Sequence, residues 1–251
     1  MSALRIIPFA VALAAAIAPA AAQTGSVTTP DMEAAPMPPV MDQAIFAHDI
    51  FNQLEGRWNG SNPEFRWDGQ GWVGTDYDKL WIKSEGTHSK GAVDDGQQQF
   101  LYSRAVTTYF DLQGGLRSDI DSRPTRNWAA FGFQGLAPYF FDLEVTGFVS
   151  GEGDLAGKLE ASYDLLLTQR LILQPQIELN LYSKADLARL VGAGFSDIDT
   201  GLRLRYEFDR KFAPYIGVVY QGKFGQTANF ARQAGESTGG FRFAFGVRVW
   251  F

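Results

Sequence analysis

Soft metal ligands cluster near the start of this chain. Met32, Met37 and Met41 recur every four or five residues, and His48 follows seven residues later. Thioether sulfur is a soft donor that favours Cu(I), and imidazole accepts either copper state. Methionines that merely fill space in an unstructured segment would look the same, so the spacing leaves both readings open.

A second set of candidate ligands is hard. Glu144, Glu160, Glu178 and Glu207 fall on the polar phase of alternating segments, together with Glu55, Glu85, Asp142 and Asp164 and with cations such as Arg57, Lys83, Arg104, Lys158 and Arg203. Two readings fit: charges of opposite sign pair across a common interior and plug it, or the carboxylates transiently hold a passing cation.

Other chemistries have little to work with. His48 and His88 are the two histidines, there is no cysteine, and no G-x-S-x-G elbow, P-loop or dinucleotide fingerprint occurs. A Ser/His hydrolase needs one of those histidines beside a serine. With 22 Lys+Arg against 28 Asp+Glu, a net charge of −6 argues against a nucleic-acid partner.

The elements that position these residues read as strands. Gly239 to Phe251 (GGFRFAFGVRVWF) places Phe241, Phe243, Phe245, Val247, Val249 and Phe251 on one face and Arg242, Ala244, Gly246 and Arg248 on the other. Leu171 to Tyr182, Gly201 to Asp209 and Leu155 to Leu167 repeat the alternation. Weaker versions cover Tyr139 to Val149, Pro214 to Phe224, Asn127 to Gly135, Phe110 to Ser118, Tyr77 to Glu85 and Gln53 to Asn59. Pro175 forfeits a ladder donor and marks a bulge or a locally irregular pairing. The expectation is an all-β fold, an antiparallel transmembrane up-and-down β-barrel of about ten strands, with eight or twelve also compatible with the pattern. A soluble β-sandwich has the same period. Long strands, an arginine-bearing interior and a terminal phenylalanine favour the barrel.

Three regions follow. Residues 1–22 read as an export signal, with Arg5, an apolar run and Ala20-Ala21-Ala22 before the expected cleavage. Residues 23–47 read as a disordered periplasmic arm, and 48–251 as the barrel in the outer membrane. Breaks at Ala137-Pro138, 168–170 and 209–212 are tight, as periplasmic turns are, whereas 183–196 and 225–238 are long enough for external loops. His88 is expected near a periplasmic turn.

The segments GWVGTDYDKLWIKSEG (Gly71 to Gly86), LYSRAVTTYFDLQGGLRSD (Leu101 to Asp119), NWAAFGFQGLAPYFFDLE (Asn127 to Glu144), LEASYDLLLTQRLILQPQIELNLYSKAD (Leu159 to Asp186) and LRLRYEF with FAPYIGVVY (Leu202 to Tyr220) resemble the copper resistance protein B family, CopB or PcoB. The likeness runs from Ala47 to Phe251. It implies an outer-membrane barrel in copper homeostasis, beside a periplasmic multicopper oxidase, with a Met- and His-rich segment that binds copper. Here the chain departs from the family, since its arm carries only Met32, Met37, Met41 and His48.

The function expected is therefore non-enzymatic: binding copper, as Cu(I) or Cu(II), and helping it across the outer membrane, with lipids and copper ions as partners. The rival expectation is a sealed barrel that anchors the arm and docks a periplasmic copper-handling partner. An outer-membrane hydrolase is the third.

Overall fold

The computed structural model describes residues 44–60 and 62–251. The expected signal, the arm up to residue 43 and Met32, Met37 and Met41 lie outside the described residues. In chain order the elements are β1 (Phe46–Trp58), β2 (Pro63–Gly74), β3 (Asp78–Ser89), β4 (Ala92–Val93), β5 (Gln97–Ala105), β6 (Phe110–Asp119), β7 (Arg126–Ala137), a 3-10 turn (Pro138–Phe140), β8 (Phe141–Ser150), β9 (Leu155–Ser162), β10 (Leu165–Leu166), β11 (Leu171–Tyr182), β12 (Gly194–Tyr206), β13 (Phe212–Lys223), α1 (Gly225–Gln233) and β14 (Gly239–Trp250).

The sheet closes on itself. Each strand pairs antiparallel with its neighbours in the order β1–β2–β3–β5–β6–β7–β8–β9–β11–β12–β13–β14, and β14 returns to β1 from Trp58↔Phe243 to Ile50↔Trp250. These twelve strands form the wall. β4 extends only the β3 edge, and β10 continues β9 in the same register against β11. The gap between β9 and β10 lies opposite Pro175. Tyr163 donates to the Pro175 carbonyl at 3.1 Å, but proline has no N–H to return. The irregular pairing expected at Pro175 is there, on its β9 side.

Ten of the twelve wall strands coincide with alternating segments of the sequence; β2 and β5 do not. The outer phase of β2 includes Gly69 and Gly71 while its inner phase includes Trp72, and β5 turns Leu101 inward, so neither shows a clean apolar face. The phase error on β5 has one consequence. Arg104 is not a lumen residue: its side chain is 67% exposed on the outer face, 3.9 Å from Asp78.

The outer face is apolar. Phe243, Phe245, Leu116 and Ile216 are all more than 60% exposed, while Arg203 and Arg205 are 2% exposed inside. This is the inverse of a sandwich, whose apolar residues meet at the centre. Exposed Tyr77, Tyr109, Tyr139 and Phe208 ring the end that carries the short turns, where aromatic girdles meet a membrane interface. No helix among the described residues is long and apolar enough to cross a membrane.

Connections differ between the two ends. Turns at 75–77, 106–109, 138–140, 167–170 and 207–211 share one end with the start of β1 and the finish of β14. The opposite end carries the longer segments 183–193 and 224–238. There Arg189 donates to Asp121 at 2.8 and 3.2 Å and to the Pro124 carbonyl at 2.7 Å, and Arg126 donates to Asp186 at 2.7 Å. Burial alone would lower the Arg189 guanidinium, but the hydrogen bonds and charge of Asp121 hold it above the ordinary arginine value. Helix α1 lies on β12, with Thr227 accepting from the Gly192 amide at 2.8 Å. A Cβ at Gly192 would meet the Gln226 Cβ at 2.3 Å, so only glycine permits this approach. His88 faces outward at this loop end, not near a short turn as expected.

Candidate functional site

The charged interior divides into two parts. Towards the loop end, side chains from opposite walls reach across and neutralise each other. Glu55 is fully buried and accepts from Arg57 at 2.6 Å, from Arg203 through two bonds of 2.9 Å and from Tyr215 at 2.9 Å. Arg57 continues to Asp199 at 2.5 Å. Arg66 on β2 spans the lumen to Glu178 on β11 at 2.8 Å, and Lys158 on β9 spans it to Glu85 on β3 at 2.5 Å. Buried ions must be paired in this way, because an uncompensated one loses its hydration without return. Together these pairs form a brace through the middle of the barrel.

Next to the brace, an apolar cluster lines the β5–β8 wall. Leu101, Trp128, Ala130 and Phe148 pack together, with the Arg117 guanidinium 4.6 Å above the Phe148 ring and Arg126 4.4 Å above Trp128. These contacts keep two long cations against the wall.

Below the brace, on the turn side, the lumen widens into a cavity of about 380 Å³. Its polar lining includes five carboxylates (Asp68, Asp142, Glu144, Glu160 and Asp164) and His48, against a single arginine, Arg248. Glu144 is held by Lys83 at 2.7 Å, Glu160 accepts from Gln176 at 2.8 Å, and Asp164 accepts from Arg205 at 2.7 Å and Gln174 at 2.8 Å. The side chains of Asp68 and Asp142 make no hydrogen bond or ion pair among the described residues. The cavity therefore presents two unpaired carboxylates in a setting already rich in negative charge, an arrangement suited to a cation.

His48 reaches the cavity through a bulge. Pairing on both sides of β1 shifts between Phe51 and Leu54, so His48, Ile50 and Asn52 face inward before the bulge and Gln53, Glu55 and Arg57 after it. The imidazole lies between the rings of Trp250, at 5.5 Å, and Trp72, at 6.4 Å. Neither His48 nor His88 hydrogen-bonds a serine among the described residues.

Of the residues expected as metal ligands, His48, Glu144 and Glu160 come together at the cavity. Glu178 is one layer up, within the brace, and one of its carboxylate oxygens lies within 4.8 Å of oxygens from Glu85 and Glu160. Glu207 is apart from the others, near the turn at 207–211 and 3.8 Å from Arg205. Met32, Met37 and Met41 are not among the described residues. Asp68 escaped sequence reasoning because β2 did. A sharper signal was present: Glu64, Arg66, Asp68 and Gln70 alternate strictly with their neighbours, and that polar phase locates the strand without an apolar one.

A closed antiparallel barrel with an apolar exterior, a charged interior and short turns at the end of its termini defines an outer-membrane β-barrel protein. The fold has a counterpart in the NanC porin, at a TM-score of 0.51 and 13% identity over 81% of this chain and 99% of that one. The profile of the family described as Copper resistance protein B precursor (CopB) matches residues 45–251. Copper resistance protein B of Escherichia coli is 44% identical over 212 residues, covering 84% of this chain and 72% of that protein. A Copper resistance protein B homolog of Pseudomonas syringae pv. tomato (strain ATCC BAA-871 / DC3000) is 42% identical over the same shares. The chain belongs to the copper resistance protein B family, and the outer membrane is its location.

Proposed function

We propose that this barrel binds copper ions at the turn end of its lumen and helps move them across the outer membrane, without catalysing a reaction. The observation that carries the reading is the cavity in which unpaired Asp68 and Asp142 stand with Glu144, Glu160 and His48. In outer-membrane barrels the short-turn end faces the periplasm, so the ion would be collected from that side. The arm belongs to the same path in this reading: Met32, Met37 and Met41 offer soft ligands for Cu(I) just ahead of His48. Carboxylates are harder and suit Cu(II) better, so each stage would favour one form of the ion.

Copper flux into proteoliposomes tests the reading. The mature protein should carry copper, and Asp68→Asn with Asp142→Asn should slow it; an unchanged flux in the double variant would remove the cavity from the path. Met32, Met37 and Met41 changed together to Ala should weaken Cu(I) binding in competition with a Cu(I) chelator, and equal binding would remove the arm.

A second reading has its own support. The cross-lumen pairs Arg66–Glu178 and Lys158–Glu85 leave little space at mid-barrel, which fits a sealed barrel that anchors the arm and docks a periplasmic partner such as a multicopper oxidase. A barrel without ion current in planar bilayers and without copper flux favours that anchor.

A further inference from the structure

The brace holds a second cation-shaped feature. Glu85 on β3, Glu160 on β9 and Glu178 on β11 bring three carboxylate oxygens within 4.8 Å of one another. In their midst is an ammonium: Lys158 Nζ lies 2.5 Å from Glu85, 3.5 Å from Glu160 and 3.8 Å from Glu178. Arg66 adds a second positive charge, 2.8 Å from Glu178 and 3.6 Å from Glu85. Three carboxylates against two cations leave the cluster with unbalanced negative charge.

An independent feature points to the same place. A cavity of about 40 Å³ adjoins the cluster, lined by Glu85, Glu160 and Lys158 and by Gln99 from β5. Gln99 is 2% exposed, and its buried amide oxygen has no hydrogen-bond donor among the described residues. Leaving such an acceptor unmet is unfavourable, and a cation would satisfy it. The space is sufficient for a water-sized occupant.

We propose that Lys158 is a tethered cation closing an oxygen-only metal site, built by Glu85, Glu160, Glu178 and Gln99, and that a hard divalent ion occupies this site by displacing the ammonium. The ligands are carboxylates and an amide carbonyl, the donor set of Ca²⁺, Mg²⁺ and Mn²⁺. All four methionines of the chain precede residue 44 and there is no cysteine, so the barrel supplies no sulfur to a softer ion. Glu144 lines the same small cavity and gives the displaced ammonium a second carboxylate to approach. The inference goes beyond copper collection at the turn end, because it concerns the mid-lumen closure and holds whichever metal the larger cavity gathers.

The test uses the full mature protein, folded in detergent, with Mn²⁺ as the probe. If the open arrangement is populated about 1% of the time in the wild type, removing the lysine charge raises the apparent affinity about 100-fold. Lys158→Met should therefore bind one Mn²⁺ per chain about 100-fold more tightly than wild type, and Lys158→Arg should not. Adding Glu85→Gln to Lys158→Met should abolish the gain. In planar bilayers Lys158→Met should also raise cation-selective current. Folding is monitored by heat-modifiable gel mobility, and Lys158→Gln replaces the Met variant if that one does not fold. A folded barrel without the Lys158 ammonium that keeps wild-type Mn²⁺ affinity overturns the proposal, as does tighter binding that survives Glu85→Gln.

Discussion

The two ends of the lumen use the same residue types and settle their charges in opposite ways. Towards the loop end, Glu55 is enclosed by Arg57, Arg203 and Tyr215, and Asp121 and Asp186 are held by Arg189 and Arg126. Towards the turn end, Asp68 and Asp142 face a cavity of about 380 Å³ with no side-chain partner among the described residues. A buried carboxylate without a partner either takes up a proton or keeps its charge where solvent or a mobile cation reaches it. In the function proposed above, the cross-lumen pairs brace the barrel and the two unpaired carboxylates at the turn end receive the ion.

The comparison breaks most sharply at Glu55. Replacing it with Leu removes one charge and leaves Arg203 buried without a carboxylate, while Arg57 keeps only Asp199, so stability should fall by about 3–5 kcal/mol, read from denaturant unfolding in detergent. A loss under about 1 kcal/mol, the value of exposed pairs, would mean that the loop-side charges are solvated and the contrast between the ends is false. Arg189→Ala comes next. It removes hydrogen bonds to a charged partner, each worth about 1.5–3 kcal/mol, and should free the 183–193 segment to proteases while leaving the wall strands folded. Cleavage no faster than in the wild type would show that Gly192 and α1 hold that segment without the arginine.

Much of this contrast was legible in the residues, unevenly. The closing strand declares itself because six apolar side chains share one phase from Phe241 to Phe251, and Phe243 and Phe245 do face outward. Alternation reports which phase is apolar, so it fails where the wall is glycine- or glutamine-bearing. β2 and β5 were invisible for that reason, and with them went Asp68 and Gln99. It also fails across a bulge, where the phase inverts: the barrel is expected from residue 48, but alternation is legible only from about Gln53, after the half of β1 that carries His48 into the cavity. Partner choice was wholly illegible. Glu85 and Lys158 are 73 residues apart, and they meet because their strands stand on opposite walls of a closed barrel, which no local pattern encodes.

Asp68→Asn sharpens the turn-end side of the comparison. The variant removes a charge that has no ion-pair partner, so unfolding stability should change by less than about 1 kcal/mol. Copper(II) binding should weaken by about ten-fold, equivalent to about 1.4 kcal/mol. Equal binding by the variant would mean that Asp68 does not hold the cavity's ion, which would then rest on the other lining residues. A large stability loss would reveal a partner and erase the distinction between the ends.

The smallest effect is expected at a charge that is paired yet wet. Glu236, in the loop-end segment 224–238, accepts from Lys223 at 3.0 Å, and both side chains are more than a third exposed. The hydrogen bond and charge of Lys223 hold the Glu236 carboxyl below its ordinary value of 4.5. A carboxyl whose folded value is depressed contributes stability above the unfolded value and loses it as pH falls through the folded one. Glu236→Gln should therefore lower stability at neutral pH by less than about 1 kcal/mol, a gap that closes in acid and shrinks in high salt. A gap near that of Glu55→Leu would show that pairing alone, rather than pairing away from water, makes the loop-side charges structural, and a gap that widens in acid would reverse the sign of the linkage.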